Sequence, residues 1–265
     1  MAVPFPGLAA AGPNIRRAEG ISSPQYLRVH HKLGSRGYLR FMSYRVLRLG
    51  VPLVLTVVLL WGCSSGPNFV AQDEPWRKQE EITCLSRGTV RESAFIHARS
   101  ALGGPSEYCG AERPFEIAAA DGGRVALAPA ALVACPMIPQ IDLWVASVVE
   151  PAARRNLGGT LTELRVAASY SCRPMNNVDG ARLSEHGHAN AIDISAFKLA
   201  DGRTVTVKGG WNGTAQEQAF LREVRANSCQ TFTTVLGPGA DSHHDDHFHL
   251  DLARHGRDGQ GRVCR

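Results

Sequence analysis

The chain has 265 residues, 44% of them hydrophobic and 20% charged, with a formal net charge of +5 and seven cysteines. This composition excludes a disordered tail protein, a collagen-like fibre and a polytopic membrane protein, and the length allows one or two domains with a sizeable core. The basic balance is local: residues 1–62 hold eight Lys/Arg against one acid (+7), and the remainder holds 21 basic against 23 acidic residues (−2). A near-neutral folded part gives no electrostatic footprint for nucleic acid, and no nucleic-acid partner is expected.

Residues 49–62 (LGVPLVLTVVLLWG) form an uncharged apolar run of fourteen residues preceded by Arg45 and Arg48. A transmembrane helix needs about 20 apolar residues, whereas a basic flank and a short apolar stretch are the pattern of an export signal. Met42 stands at the natural start of such a signal. Residues 1–41 therefore read as an upstream extension without regular structure, and 42–63 as a signal peptide. The run ends Leu60-Trp61-Gly62-Cys63, which resembles a bacterial lipoprotein box despite the large Trp61. That resemblance implies lipidation of Cys63 and a membrane attachment. A plain secretory signal and a retained anchor helix are the other readings of the same segment.

A polar linker follows over residues 64–80, and one domain spans 81–265. Ile141, Trp144, Val145, Val148 and Ala152 recur at helical spacing, with Gly158 as a stop after Arg154 and Arg155. Residues 160–170 predict a strand. Residues 190–199 predict another, turned by Asp201-Gly202 into 203–207. Residues 214–226 predict a helix with Phe220, Leu221 and Val224 on one face, and 248–252 a short strand. Trp144, Trp211 and Phe220 are core candidates. The expected fold is α+β, a small antiparallel sheet flanked by helices.

Apart from Cys63, the cysteines are Cys84, Cys109, Cys135, Cys172, Cys229 and Cys264. None forms a CxxC pair, so zinc-ribbon and thioredoxin-type sites are not indicated. An even set spread over an exported domain predicts up to three disulfides of open connectivity; buried free thiols are the alternative.

Ten histidines are present, and two segments concentrate them. One is Ser184-Glu185-His186-Gly187-His188-Ala189-Asn190-Ala191-Ile192-Asp193. The other is His243-His244-Asp245-Asp246-His247-Phe248-His249-Leu250-Asp251. Neutral imidazole and carboxylate suit Zn²⁺, and a catalytic zinc takes three protein ligands and keeps one position open. His247 and His249 are two apart on a predicted strand and share a face. His30, His31, His97 and His255 read as ordinary surface or hydrogen-bonded residues, and His243 and His244 as exposed loop residues. His188 lies off the ligand spacing but could line the site.

The first segment resembles the S-x-H-x-x-G-x-A-x-D motif of the LAS metallopeptidases, and the second their H-x-H or E-x-x-H motif. The run from Cys84 to Cys264 is similar to the extensin-like C-terminal domain family of bacterial envelope proteins. Its Ser169-Tyr170-Ser171-Cys172-Arg173, Ala219-Phe220-Leu221-Arg222, Val235-Leu236-Gly237-Pro238 and His247-Phe248-His249-Leu250-Asp251 stretches carry the likeness. The resemblance implies a LAS-like, disulfide-braced fold with His186, Asp193 and His249 as zinc ligands. It also implies Asp246 or His247 as the general base, and Arg173 as an oxyanion donor. Two positions depart from the motif: Ala189 replaces a glycine, which bears on the turn after His186, and Asp246 is one methylene shorter than glutamate.

Two functions follow as expectations. One is a zinc-dependent peptidase or amidase of the bacterial envelope, lipid-anchored in the periplasm, that hydrolyses an amide in peptidoglycan stem peptides or cross-links. The other is a non-catalytic zinc-containing envelope protein that binds peptidoglycan or another wall polymer.

Overall fold

A computed structural model describes residues 68–104 and 106–265. The upstream extension, the signal segment and Cys63 lie outside the described residues. No helix among the described residues is long and apolar enough to cross a membrane.

Helix α1 (Pro75–Ser86) opens on a proline at its first position, where the missing N–H costs nothing. The folded part thus reaches back into the segment read as a linker. Strands β1 (Ile96–Ala98), β2 (Phe115–Ala120) and β3 (Val125–Val133) come next. Helix α2 (Met137–Trp144) runs through a π-helical turn at Val145–Val149 into α3 (Glu150–Leu157). Ile141, Trp144, Val145, Val148 and Ala152 are all buried along this rod, as their spacing predicts. Gly158 ends it at φ +63°, a left-handed conformation that suits glycine.

Strand β4 (Leu161–Ala168) returns, followed by β5 (Ala191–Leu199) and β6 (Thr204–Thr206). The short helix α4 (Val207–Gly210) leads to α5 (Ala215–Ser228), which starts with a capping box between Thr214 and Glu217. Strands β7 (Thr234–Leu236), β8 (Phe248–Asp251) and β9 (Val263–Cys264) complete the sheet.

The class is α+β, as expected, but the sheet is neither small nor purely antiparallel. Nine strands form one sheet in the order β1-β2-β3-β4-β5-β8-β7-β9, with β6 beside the second half of β5. The pairs β3/β4 and β7/β9 are parallel. The α2–α3 rod is the crossover that lets β4 return parallel to β3, a connection no hairpin can make. The β2 and β3 segments, FEIAAA and VALAPAALV, are alanine-rich and carry Pro129. They lack the alternation and β-branched content that announce a strand.

One sheet face is apolar. Ile192 and Ile194 of β5, Phe248 and Leu250 of β8 and Val235 of β7 join Trp144, Phe197, Phe220 and Phe232 in the core. Trp144 Nε1 donates to Ser228 Oγ at 2.8 Å, which satisfies the one polar atom of that ring. Residues alternating with this core face carry the polar cluster described below. The six candidate cysteines pair as Cys84–Cys135, Cys109–Cys172 and Cys229–Cys264.

Candidate metal centre

Register builds the site. In the antiparallel β5/β8 pair, Asp193 stands directly opposite His249, and Ala191 opposite Asp251. Ile192 and Ile194 point to the core, so Asp193 points the other way. His249 and Asp251 share that face of β8, and β7 brings Thr234 opposite Asp251 and Leu236 opposite His249. The third group arrives from a loop. Residues Glu185–His188 form a single 3₁₀ turn whose N-cap Ser184 accepts from the His186 N–H. Ala189 ends the turn at φ +53° and is fully buried, so the left-handed shape is kept with alanine where the motif has glycine.

His186, Asp193 and His249 converge, with one ligand atom from each lying within 4.8 Å of the others. His186 Nε2 is 3.1 Å from Asp193 Oδ2 and 3.2 Å from His249 Nδ1, and His249 Nδ1 is 2.9 Å from Asp193 Oδ1. The far nitrogens are each engaged. His186 Nδ1 donates to the Ser169 carbonyl at 2.6 Å, and His249 Nε2 donates to Asp251 Oδ2 at 2.8 Å. Those partners set the tautomers and leave His186 Nε2 and His249 Nδ1 turned toward Asp193.

The electrostatics are those of a buried cluster of carboxylates and imidazoles that stabilise one another's charge. His186, Asp193, His249 and Asp251 are all buried. Burial acts to raise the Asp193 carboxyl, but the two imidazoles set against it, His186 and His249, outweigh it and hold the group far below the ordinary aspartate range. For His249, burial acts downward, and Asp193 and Asp251 on either side prevail and raise its pKa well above the usual histidine value.

The cluster forms the floor of a cleft of about 350 Å³. Arg173 and His247 line it, as do Arg182 and His244. His247 Nε2 lies 3.6 Å from Asp193 Oδ2, and its Nδ1 donates to Asp246 Oδ1 at 2.8 Å. Asp246 itself is not a lining residue; its side chain is 62% exposed and faces His247.

Several expectations need correction. His244 is buried rather than an exposed loop residue: its ring packs against His247 and His249, and its Nδ1 meets Asp241 Oδ1 at 2.7 Å. His255 is hydrogen-bonded, as read, with Thr234 Oγ1 as its partner, and it also borders the cleft. His188 faces a separate cleft beside Trp76 and Tyr108. Trp211, a core candidate, is only partly buried, packed edge-on against Phe248 at the margin of the core beneath Arg222 and Arg225. Sequence reasoning missed the roles of Ser169 and Asp251. The second was signalled, since Asp251 follows His249 at the two-residue spacing that shares a strand face. The first acts through a backbone carbonyl, which leaves no trace in residue type.

The family model described as Extensin-like protein C-terminus matches residues 82–265. The chain belongs to this family. The match takes in His186, Asp193, His249 and Asp251 and all six disulfide cysteines. It starts within α1, so Arg77 lies just outside it. There, Arg77 makes a bidentate pair with Glu185 at 2.6 Å for each bond and anchors the turn of the extensin-like domain that presents His186. Neither the curated proteins nor the solved structures compared with the chain gave a match.

Proposed function

We propose that this extensin-like protein is an exported zinc-dependent peptidase or amidase with a LAS metallopeptidase-like fold, hydrolysing an amide in peptidoglycan stem peptides or cross-links. The observation that carries the reading is the convergence of His186, Asp193 and His249 with both imidazoles oriented from behind. The donor set fits zinc. Two imidazole nitrogens and one carboxylate make a three-ligand set of the catalytic kind, with further room on the cleft side. A lone pair of His186 Nε2 and a carboxylate oxygen of Asp193 face each other at 3.1 Å, an arrangement that a cation stabilises. Two buried carboxylates beside two imidazoles also leave a formal charge that a divalent ion offsets.

Zinc in such a site supplies Lewis-acid chemistry, activating water and polarising a carbonyl. The chain's own groups supply the rest. Because His247 donates from Nδ1 to Asp246, its Nε2 carries the free lone pair, and that atom accepts the proton of an attacking water. Asp246 then stabilises the imidazolium and keeps the ring in place. Arg173, on the cleft wall, offers planar paired donors to the oxygen that gains charge as the amide carbon becomes tetrahedral. Burial is the largest influence on His244 and lowers its pKa, which keeps it a neutral neighbour of His247.

The proposed location is the bacterial envelope, in the periplasm and attached to a membrane through Cys63 or the signal segment. Three disulfides support an oxidising compartment. One observation favours a second reading, a non-catalytic zinc-containing protein that binds peptidoglycan or another wall polymer: the Asp246 carboxylate stands outside the cleft.

The test measures zinc in the purified protein and then incubates it with purified sacculi. Stoichiometric zinc and released peptide fragments, both lost in His186→Ala, are expected. Zinc without fragments, together with sacculus pull-down, selects the binding protein. A protein free of zinc after zinc loading removes both readings.

A further inference from the structure

The metal-bearing turn has little regular structure of its own. It is held between two irregular segments: residues 169–173, just past β4, and the loop at 106–110. From the first, the Ser169 carbonyl accepts the His186 ring N–H, and the Ser171 N–H donates to the His186 carbonyl at 3.1 Å. The Arg173 carbonyl accepts from Ser184, the N-cap of the turn, at 3.0 Å. From the second, the Gly110 N–H donates to the Gly187 carbonyl at 2.8 Å. Cys109 Sγ is in ordinary contact with the turn, 3.6 Å from where a methyl group at Gly187 would stand.

Cys109 and Cys172 join these two segments covalently. We propose that the Cys109–Cys172 disulfide is a positioning element of the metal centre, clamping the turn that presents His186 and, one residue beyond Cys172, the backbone that presents Arg173. A few hydrogen bonds worth about 1 kcal/mol each cannot by themselves hold two loops against a turn in one geometry. The cross-link removes the freedom of both flanks. Its consequence for zinc rests on the function proposed above, whereas its consequence for the turn does not.

The test compares Cys109→Ser/Cys172→Ser with Cys229→Ser/Cys264→Ser in the full chain. The second pair ties the end of α5 to edge strand β9 and serves as the control. Zinc affinity is measured by chelator competition, and hydrogen exchange is followed at the Gly110, Ser171 and Ala189 amides of the zinc-free proteins. The first variant is expected to lose about 10- to 100-fold in zinc affinity, the range typical of lost support around a metal ligand. It should also exchange faster at all three amides, with the control close to wild type. Unchanged affinity and exchange in a folded Cys109→Ser/Cys172→Ser protein would overturn the proposal. If that variant does not fold, Gly104→Ala decides, because it keeps every disulfide while forcing a methyl to 2.9 Å from Cys172 Sγ and 3.0 Å from Cys109 Cβ. Weaker zinc binding and faster exchange are expected, and wild-type values sink the clamp. A wild-type protein that binds no zinc overturns the proposed function instead, and exchange alone then decides the clamp.

Discussion

His249 and Asp251 lie two residues apart on β8, and the imidazole Nε2 donates to the Asp251 carboxylate at 2.8 Å while Nδ1 faces Asp193. The same strand therefore provides a metal-ligand candidate and the group that orients it. In Asp251→Asn the amide oxygen is a weaker acceptor, and its NH₂ can force the opposite ring tautomer. Zinc affinity should fall about 10- to 100-fold with the fold intact. Wild-type affinity in a folded Asp251→Asn protein would falsify this orienting role.

His247 and Asp246 divide one task in the proposed mechanism. His247→Ala should keep zinc and lower turnover of wall peptides by about 10²- to 10⁴-fold, the usual contribution of a general base. Asp246→Asn should lose less, because Nε2 survives and only its orientation and charge support are weakened. Steady-state rates alongside metal content separate these effects. An Asp246→Asn defect deeper than that of His247→Ala would return the base to the aspartate.

Arg77 ties α1 to the turn that carries His186. Its side chain is 15% exposed and pairs with both Glu185 and Glu74. Arg77→Ala leaves the half-buried Glu185 with Asn190 Nδ2 as its remaining side-chain donor and should cost about 2 kcal/mol, the range for lost hydrogen bonds to a charged group. Denaturant unfolding checks the figure, and a loss below about 1 kcal/mol contradicts it.

Glu74 makes the same contact pH-dependent. Burial acts to raise its carboxyl, but the Arg77 charge and hydrogen bond prevail, and the pKa lies below the ordinary glutamate value. A depressed carboxyl contributes stability that is complete above the unfolded-state pKa and is lost as pH falls through the folded-state pKa. Wild type should therefore lose more stability than Glu74→Gln on acidification below about pH 4.5. Parallel acid-unfolding curves for the two proteins would contradict the assignment.

Ala189 holds a left-handed conformation with its methyl group fully buried. Ala189→Gly relieves the backbone and loses the methyl contact, two effects of about 1 kcal/mol that oppose one another. Its stability should stay within about 1 kcal/mol of wild type. Ala189→Val adds a β-branched side chain in a strained region without space and should lose at least about 2 kcal/mol. Thermal unfolding distinguishes them, and equal melting temperatures for the two variants would contradict the strain argument.

Local patterns were legible from the chain alone. The helical spacing from Ile141 to Ala152, the apolar face of α5 and the alternation of β8 each depend on residues within a turn or two of one another. The likeness of the two His-containing segments to the metallopeptidase motifs singled out His186, Asp193 and His249. Tertiary structure decided what depends on partners far along the chain. It set the parallel return of β4 beside β3, the three cysteine pairings and the burial of His244. It also turned His247 rather than Asp246 into the cleft, and placed the Ser169 carbonyl behind His186. The physical reason is that side-chain period reports which face a residue takes, whereas register and crossover direction arise only when whole elements compete to bury the same core.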